Sequence, residues 1–122
     1  MKSFTTLFAL CFFLTVNLFA QDDRENSYIL ICEGNEASFS IDEYIDCNTV
    51  SIRDSENEVG TFLFVGLKKS KRIEIEIEGN ILNDEAIAIV NKLKPPMKIR
   101  IEKVVDVTGT PLEGFRELTL RE

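Results

Sequence analysis

The sequence predicts a mainly β domain, α+β only at the margin: a sheet-rich sandwich carrying one substantial helix. Three observations predict it. Arg72-Ile73-Glu74-Ile75-Glu76-Ile77-Glu78 alternates charged and apolar residues without a break, the period-two pattern of a strand with one dry face and one wet face. Shorter apolar runs elsewhere are punctuated by Gly, Asn, Asp and Ser, which mark turns. Only one segment, Asn83 to Lys94, carries its apolar residues at helical spacing.

The first segment is not part of that domain. Met1-Lys2-Ser3 leads into an apolar stretch from Phe4 to Phe19, which closes on Phe19-Ala20-Gln21. A positive start, an apolar core and a small residue before a polar one make a secretory signal peptide over residues 1–20, with cleavage expected after Ala20. The competing reading is a retained anchor. Thr5, Thr6, Thr15 and Asn17 interrupt the stretch, and it is shorter than the roughly 20 apolar residues a spanning helix needs. A lipid anchor on Cys11 is disfavoured because Leu10 is too large for that cleavage site and too little apolar sequence precedes it. The expected mature chain starts at Gln21, is periplasmic or secreted, and inserts into no membrane after cleavage.

Residues 21–27 are polar and read as a flexible leader; residues 28–122 are long enough for one domain with a modest core. Tyr28-Ile29-Leu30-Ile31-Cys32 reads as a short strand ended by Glu33-Gly34-Asn35. Phe39 and Ile41 alternate with Ser38, Ser40 and Asp42, a half-exposed strand; Val50 and Ile52 alternate with Thr49, Ser51 and Arg53. Asp54 to Glu58 is a polar loop, and Phe62-Leu63-Phe64-Val65 is apolar on both faces, as a central strand is. After the strand ending at Glu78, Gly79-Asn80 turns the chain.

Asn83 is a good helix N-cap, with Asp84 and Glu85 in the first turn and Lys92 and Lys94 in the last. Leu82, Ala86, Ile89, Val90 and Leu93 form its buried stripe, and Pro95-Pro96 ends it. Lys98 to Val107 is a strand with Ile99 and Ile101 inward. Its alternation breaks at Lys103-Val104, the signature of a bulge. Thr108-Gly109-Thr110-Pro111 turns the chain into a last strand with Leu118 and Leu120 inward.

The mature part holds two cysteines, Cys32 and Cys47. Export and an even count favour a disulfide between them; two separate buried thiols are the alternative. Its 13 basic residues oppose 21 acidic ones, a net charge of −8, so nucleic acid and anionic membrane are disfavoured as partners. Lys68, Lys69, Lys71 and Arg72 form a basic run that reads as a solvated turn.

The chain contains no histidine, which removes the commonest general base and zinc ligand. It has no Gly-rich phosphate loop and no cysteine-pair metal spacing. Asp42, Glu43 and Asp46 are acidic enough for glycoside chemistry, but acidic residues are too frequent here for that to be specific. Asp54, Glu56 and Glu58 alternate as calcium ligands do, yet lack the central glycine and closing glutamate of an EF-hand. Glu74, Glu76 and Glu78 invite a metal reading, but same-face neighbours on a strand are about 7 Å apart, and a solvated face explains them more simply. No catalytic, metal or cofactor residue is expected.

From Ile73 to Leu120 the chain resembles the C-terminal domain of gliding-motility protein M and its porphyrin-accumulation counterpart, components of the type IX secretion machinery. The resemblance rests on Gly79-Asn80-Ile81-Leu82, the helix ending Lys92-Leu93-Lys94, the strand Lys98-Ile99-Arg100-Ile101, then Val105-Asp106-Val107, Gly109 and Arg116-Glu117-Leu118. Pro95-Pro96-Met97 stands where the family usually has a glycine turn, and the family's membrane helix and long preceding domains are not expected in this chain. The resemblance implies an immunoglobulin-like antiparallel β-sandwich with one inserted helix. It also implies a protein-contacting role in a bacterial cell envelope, and no catalytic residue.

Two functions follow as expectations. One is a non-catalytic module that binds a protein partner in the envelope through Asp54, Glu56 and Glu58 and through the acidic face of Glu74, Glu76 and Glu78. The other is a small-ligand carrier with an apolar pocket lined by Phe62, Phe64, Leu82, Ile89 and Val90, residues that equally suit an ordinary core.

Overall fold

The computed structural model describes residues 24–121; the signal-peptide reading falls on residues outside that range. The chain forms β1 (Ile29–Ile31), β2 (Ser38–Ser40), α1 (Ile41–Cys47), β3 (Val50–Ile52), β4 (Val59–Lys68), β5 (Lys71–Glu78), α2 (Asp84–Leu93), β6 (Met97–Asp106) and β7 (Phe115–Arg121). It is mainly β: two sheets and two helices, a sandwich with a helix inserted between β5 and β6.

The larger sheet has the order β2-β7-β6-β4-β5, and the smaller one pairs β1 with β3. All pairings are antiparallel except β2 with β7, which is parallel. The long strands follow from period two. Ile75, Phe64, Ile101 and Arg116 lie side by side in ladder order, and so do Ile73, Gly66, Ile99 and Leu118. These rows form the core face of the large sheet. The smaller sheet and both helices cover it, and Ile29, Ile31, Val50, Tyr44, Leu82, Ala86, Val90 and Leu93 join the same buried cluster.

Gly66 sits at the tightest point of that contact. A Cβ placed there would lie 3.2 Å from Leu93 Cδ1 and 3.3 Å from Ile89 Cγ2, so its missing side chain sets how closely α2 approaches β4. Helix α2 starts as its sequence demands: Asn83 Oδ1 accepts from the Ala86 amide at 2.9 Å. Its last turn is closed from the sheet, where Lys68 Nζ donates to the carbonyls of Leu93 and Lys94 at 2.8 and 2.7 Å. The alternation break in β6 is the expected irregularity. Lys103 has φ +49°, and the β4–β6 register shifts between Val59 and Leu63.

Three expectations change. The half-exposed strand over residues 38–42 is a strand only to Ser40; Ile41 and Asp42 open α1. Ser40 caps that helix, accepting from the Glu43 amide while Glu43 Oε1 accepts from the Ser40 amide, a reciprocal capping box. The sandwich therefore carries two helices, and the parallel β2–β7 pair departs from a purely antiparallel order. The leader expected over residues 21–27 is tied down within its described part. The Phe115 amide donates to the Arg24 carbonyl at 2.8 Å, and the Asn26 amide to the Phe115 carbonyl at 2.7 Å. Gly114, at φ +82°, makes this possible, because a Cβ there would collide with the Arg24 carbonyl oxygen.

Cys32, at the end of β1, and Cys47, at the end of α1, are joined in a disulfide with Cα atoms 5.4 Å apart, inside the range bridging permits. Arg116 is the buried charged side chain among the described residues. Its guanidinium donates to the Asn35 carbonyl and lies 3.5 Å from Glu25 Oε2. It thereby ties the turn after β1 and the N-terminal segment to β7.

Candidate functional site

The second face of the large sheet has no covering layer among the described residues. Its side chains come from the alternate positions of each strand: Arg72, Glu74, Glu76 and Glu78 from β5; Leu63, Val65 and Leu67 from β4; Lys98, Arg100 and Glu102 from β6; Phe115, Glu117 and Thr119 from β7. The ladder sets them in rows. Glu74, Val65, Arg100 and Glu117 form one row, and Glu76, Leu63, Glu102 and Phe115 the next.

Charged groups in these rows pair into a continuous network. Arg72 Nε meets Glu74 Oε1 at 2.9 Å, and its Nη2 reaches Glu102 Oε1 at 3.1 Å. Arg100 lies 4.0 Å from Glu102 and 3.0 Å from Glu117, with its guanidinium carbon 4.3 Å from the Phe115 ring centroid. The bond to Glu74, then those to Glu102, raise the Arg72 pKa above its ordinary value, while partial burial pulls the other way. A guanidinium stacked on a ring while paired to carboxylates is held in one orientation.

The expected acidic face is therefore mixed rather than uniformly negative. Glu74 is neutralised by Arg72, whereas Glu76 and Glu78 are exposed with no ion pair among the described residues. Asp54, Glu56 and Glu58 are all exposed, in the loop that leads into β4. That loop and Glu78 share one end of the sheet, since Thr61 pairs with Glu78 and the Val107 amide donates to the Glu58 carbonyl. The structure brings Glu78 to the loop's end of the sheet and leaves Glu74 further along β5. Among the described residues, no three carboxylates or cysteines gather in a way that would hold a metal ion.

Asp42, Glu43 and Asp46 belong to α1, where Glu43 is used structurally. Its bond to Ser40, then its pairing with Arg121, lower its pKa. Phe62, Phe64, Leu82 and Val90 are buried within the packed core, with Ile89 partly buried against it, so the expected carrier pocket at that place is filled by its own lining. The grooves lie elsewhere. One of about 670 Å³ is bounded by Leu67, Lys68, Lys69, Pro96, Met97, Lys98 and Thr119, at the end of the open face. The basic run thus does more than turn the chain: Lys68 caps α2, and Lys68 and Lys69 border this groove.

Arg100, Glu102, Phe115 and Glu117 carry no site signal in the sequence, although Arg100 and Glu117 stand in the motifs of the resemblance. They are joined only through strand pairing, and the one local signal is the polar alternation of β6 and β7. No protein-family model matches the chain, and no curated protein matches it in sequence.

Proposed function

We propose that this chain is an exported, non-catalytic protein-binding module of the bacterial cell envelope, associated with a gliding or type IX secretion-like machinery. One observation carries the reading. The large sheet keeps a prepaired, charged face that no layer covers among the described residues, and a long outer strand, β5, whose outer edge pairs with no strand among them. A flat, prepaired surface of this kind suits contact with another protein better than it suits chemistry on a small substrate, which calls for a concave site. The absence of histidine from the chain points the same way. The envelope assignment rests on the N-terminal signal pattern and on the resemblance over Ile73 to Leu120. Intact mass of the protein from native envelopes tests export: a chain beginning at Gln21 supports it, and one beginning at Met1 contradicts it.

The groove beside Lys68, Lys69 and Lys98 favours a second reading, a carrier of a small anionic ligand with an apolar body. Its lining combines Leu67, Pro96 and Met97 with Lys69 and Lys98, while the Lys68 ammonium is engaged by the end of α2. Native mass spectrometry of the purified domain separates the two readings, because a carrier retains a small molecule of constant mass.

A further inference from the structure

We infer that the outer edge of β5 is a docking edge for one extended strand of a partner, and that the strand it fits alternates basic and β-branched apolar residues. This deepens the protein-binding reading and rests on it.

The geometry follows from the β4–β5 ladder. Gly79 lies opposite Gly60, one step beyond the Thr61–Glu78 pair, and its amide donates to the Gly60 carbonyl at 2.7 Å. In an antiparallel ladder the hydrogen-bonded positions alternate. With an unbroken register from Thr61–Glu78 to Lys68–Lys71, Lys71, Ile73, Ile75 and Ile77 direct their amides and carbonyls inward to β4. Those of Arg72, Glu74, Glu76 and Glu78 point outward, where no strand pairs with them among the described residues. The two-residue connection Lys69-Ser70 agrees, because it closes on Lys68 opposite Lys71.

The same residues that offer free backbone groups also carry the carboxylates. A strand added antiparallel to β5 would therefore set its hydrogen-bonded residues directly opposite Glu74, Glu76 and Glu78, side chains on the same open face. Lysine or arginine there meets two carboxylates that have no ion pair among the described residues, Glu76 and Glu78. The alternate residues of the incoming strand would fall beside Ile73 and Ile75, which are only partly buried, and extend the core face. A second copy fits poorly. The two antiparallel registers of widest overlap set Arg72 against Glu76 or Glu78 of the copy, but Arg72 is already paired with Glu74 and Glu102, while Glu74 meets Glu74 of the copy or its Glu76, and like charges directly opposed are destabilising.

The test is amide hydrogen exchange on the domain, alone and with a synthetic heptapeptide that alternates lysine and valine, alongside a scrambled peptide of the same composition. In the free protein, Ile73, Ile75 and Ile77 should exchange slowly and Arg72, Glu74, Glu76 and Glu78 quickly. The alternating peptide should slow the second set, and the scrambled one should not. Glu76→Pro removes one outward amide and leaves the ladder to β4 intact, so it should weaken binding about tenfold beyond Glu76→Ala, which removes the same charge. Binding of the alternating peptide with those four amides still fast would overturn the edge assignment and leave protein binding through the open face standing. Slow exchange of the four in a peptide-free dimer would overturn it in favour of a second copy. Absence of binding by the alternating peptide would overturn the partner chemistry.

Discussion

Arg72 on β5 reaches Glu102 on β6 across the strand that lies between them. Its Nη2 stands 3.1 Å from Glu102 Oε1, and the line between them crosses Val65 on β4. Val65 lies on the uncovered face yet is fully buried. Its ladder neighbours are Glu74 and Arg100, so a chain of paired charges running past it does for Val65 what a second layer would otherwise do. The apolar stems of these side chains shield it while their heads stay in water.

Arg72→Ala should expose Val65 and dismantle two ion pairs at once. Each exposed pair contributes little, so the expected loss is about 1 kcal/mol in chemical denaturation. Arg72→Met should recover part of it, because the stem does the covering. Equal losses for both variants would assign the effect to charge alone.

Gly66→Ala should destabilise the domain by about 1–3 kcal/mol, the range for overpacking a filled interface. The added methyl meets Leu93 and Ile89 closely, so α2 must lift from β4. Coupling with Leu93→Ala, which vacates the space, should reduce the loss in a double-mutant cycle.

Asp106 gives an acid-sensitive turn. The Thr108 hydroxyl, then the Thr110 amide, bond to its carboxylate and hold its pKa below the ordinary 3.8. A depressed carboxylate stabilises the fold above its unfolded pKa, and that contribution disappears as pH falls through the folded value. Unfolding midpoints of the native chain should therefore drop more steeply below about pH 4 than those of Asp106→Asn. Parallel curves for the two proteins would refute this role.

The Cys32–Cys47 bridge closes a loop of 15 residues, which the chain-entropy treatment values at about 3 kcal/mol. The Cys32→Ser, Cys47→Ser pair should lower stability by up to that amount, and non-reducing peptide mapping of native protein should show the two half-cystines linked. Free alkylation of both without reduction would contradict the bridge.

Much of this architecture was legible because it is local. The strand Arg72 to Glu78 and the helix from Asn83 are written as unbroken periods with their own start and stop residues, and both stand where the sequence places them. Helix α1 was obscured by its neighbour. Ser38 to Ser40 is a strand whose polar–apolar alternation runs on through Ile41 and Asp42, although Ser40 and Glu43 stand at capping-box spacing. The parallel pairing of β2 with β7 joins residues about eighty positions apart, and no periodicity encodes it. The open face was half legible. Glu74, Glu76 and Glu78 announce a wet side, but their neighbours Arg100, Glu102 and Phe115 arrive only through register, and register turns a row of acids into a mixed, paired surface.

The protein-binding account is tested most directly by photocrosslinking in native envelopes. A photoreactive side chain replaces Glu76 on β5 in one strain and Glu85, exposed on α2, in another. The account predicts a discrete protein adduct from position 76, weakened by added salt because opposite charges meet there, and none from position 85. Adducts of equal yield from both positions, or none from position 76, would contradict it.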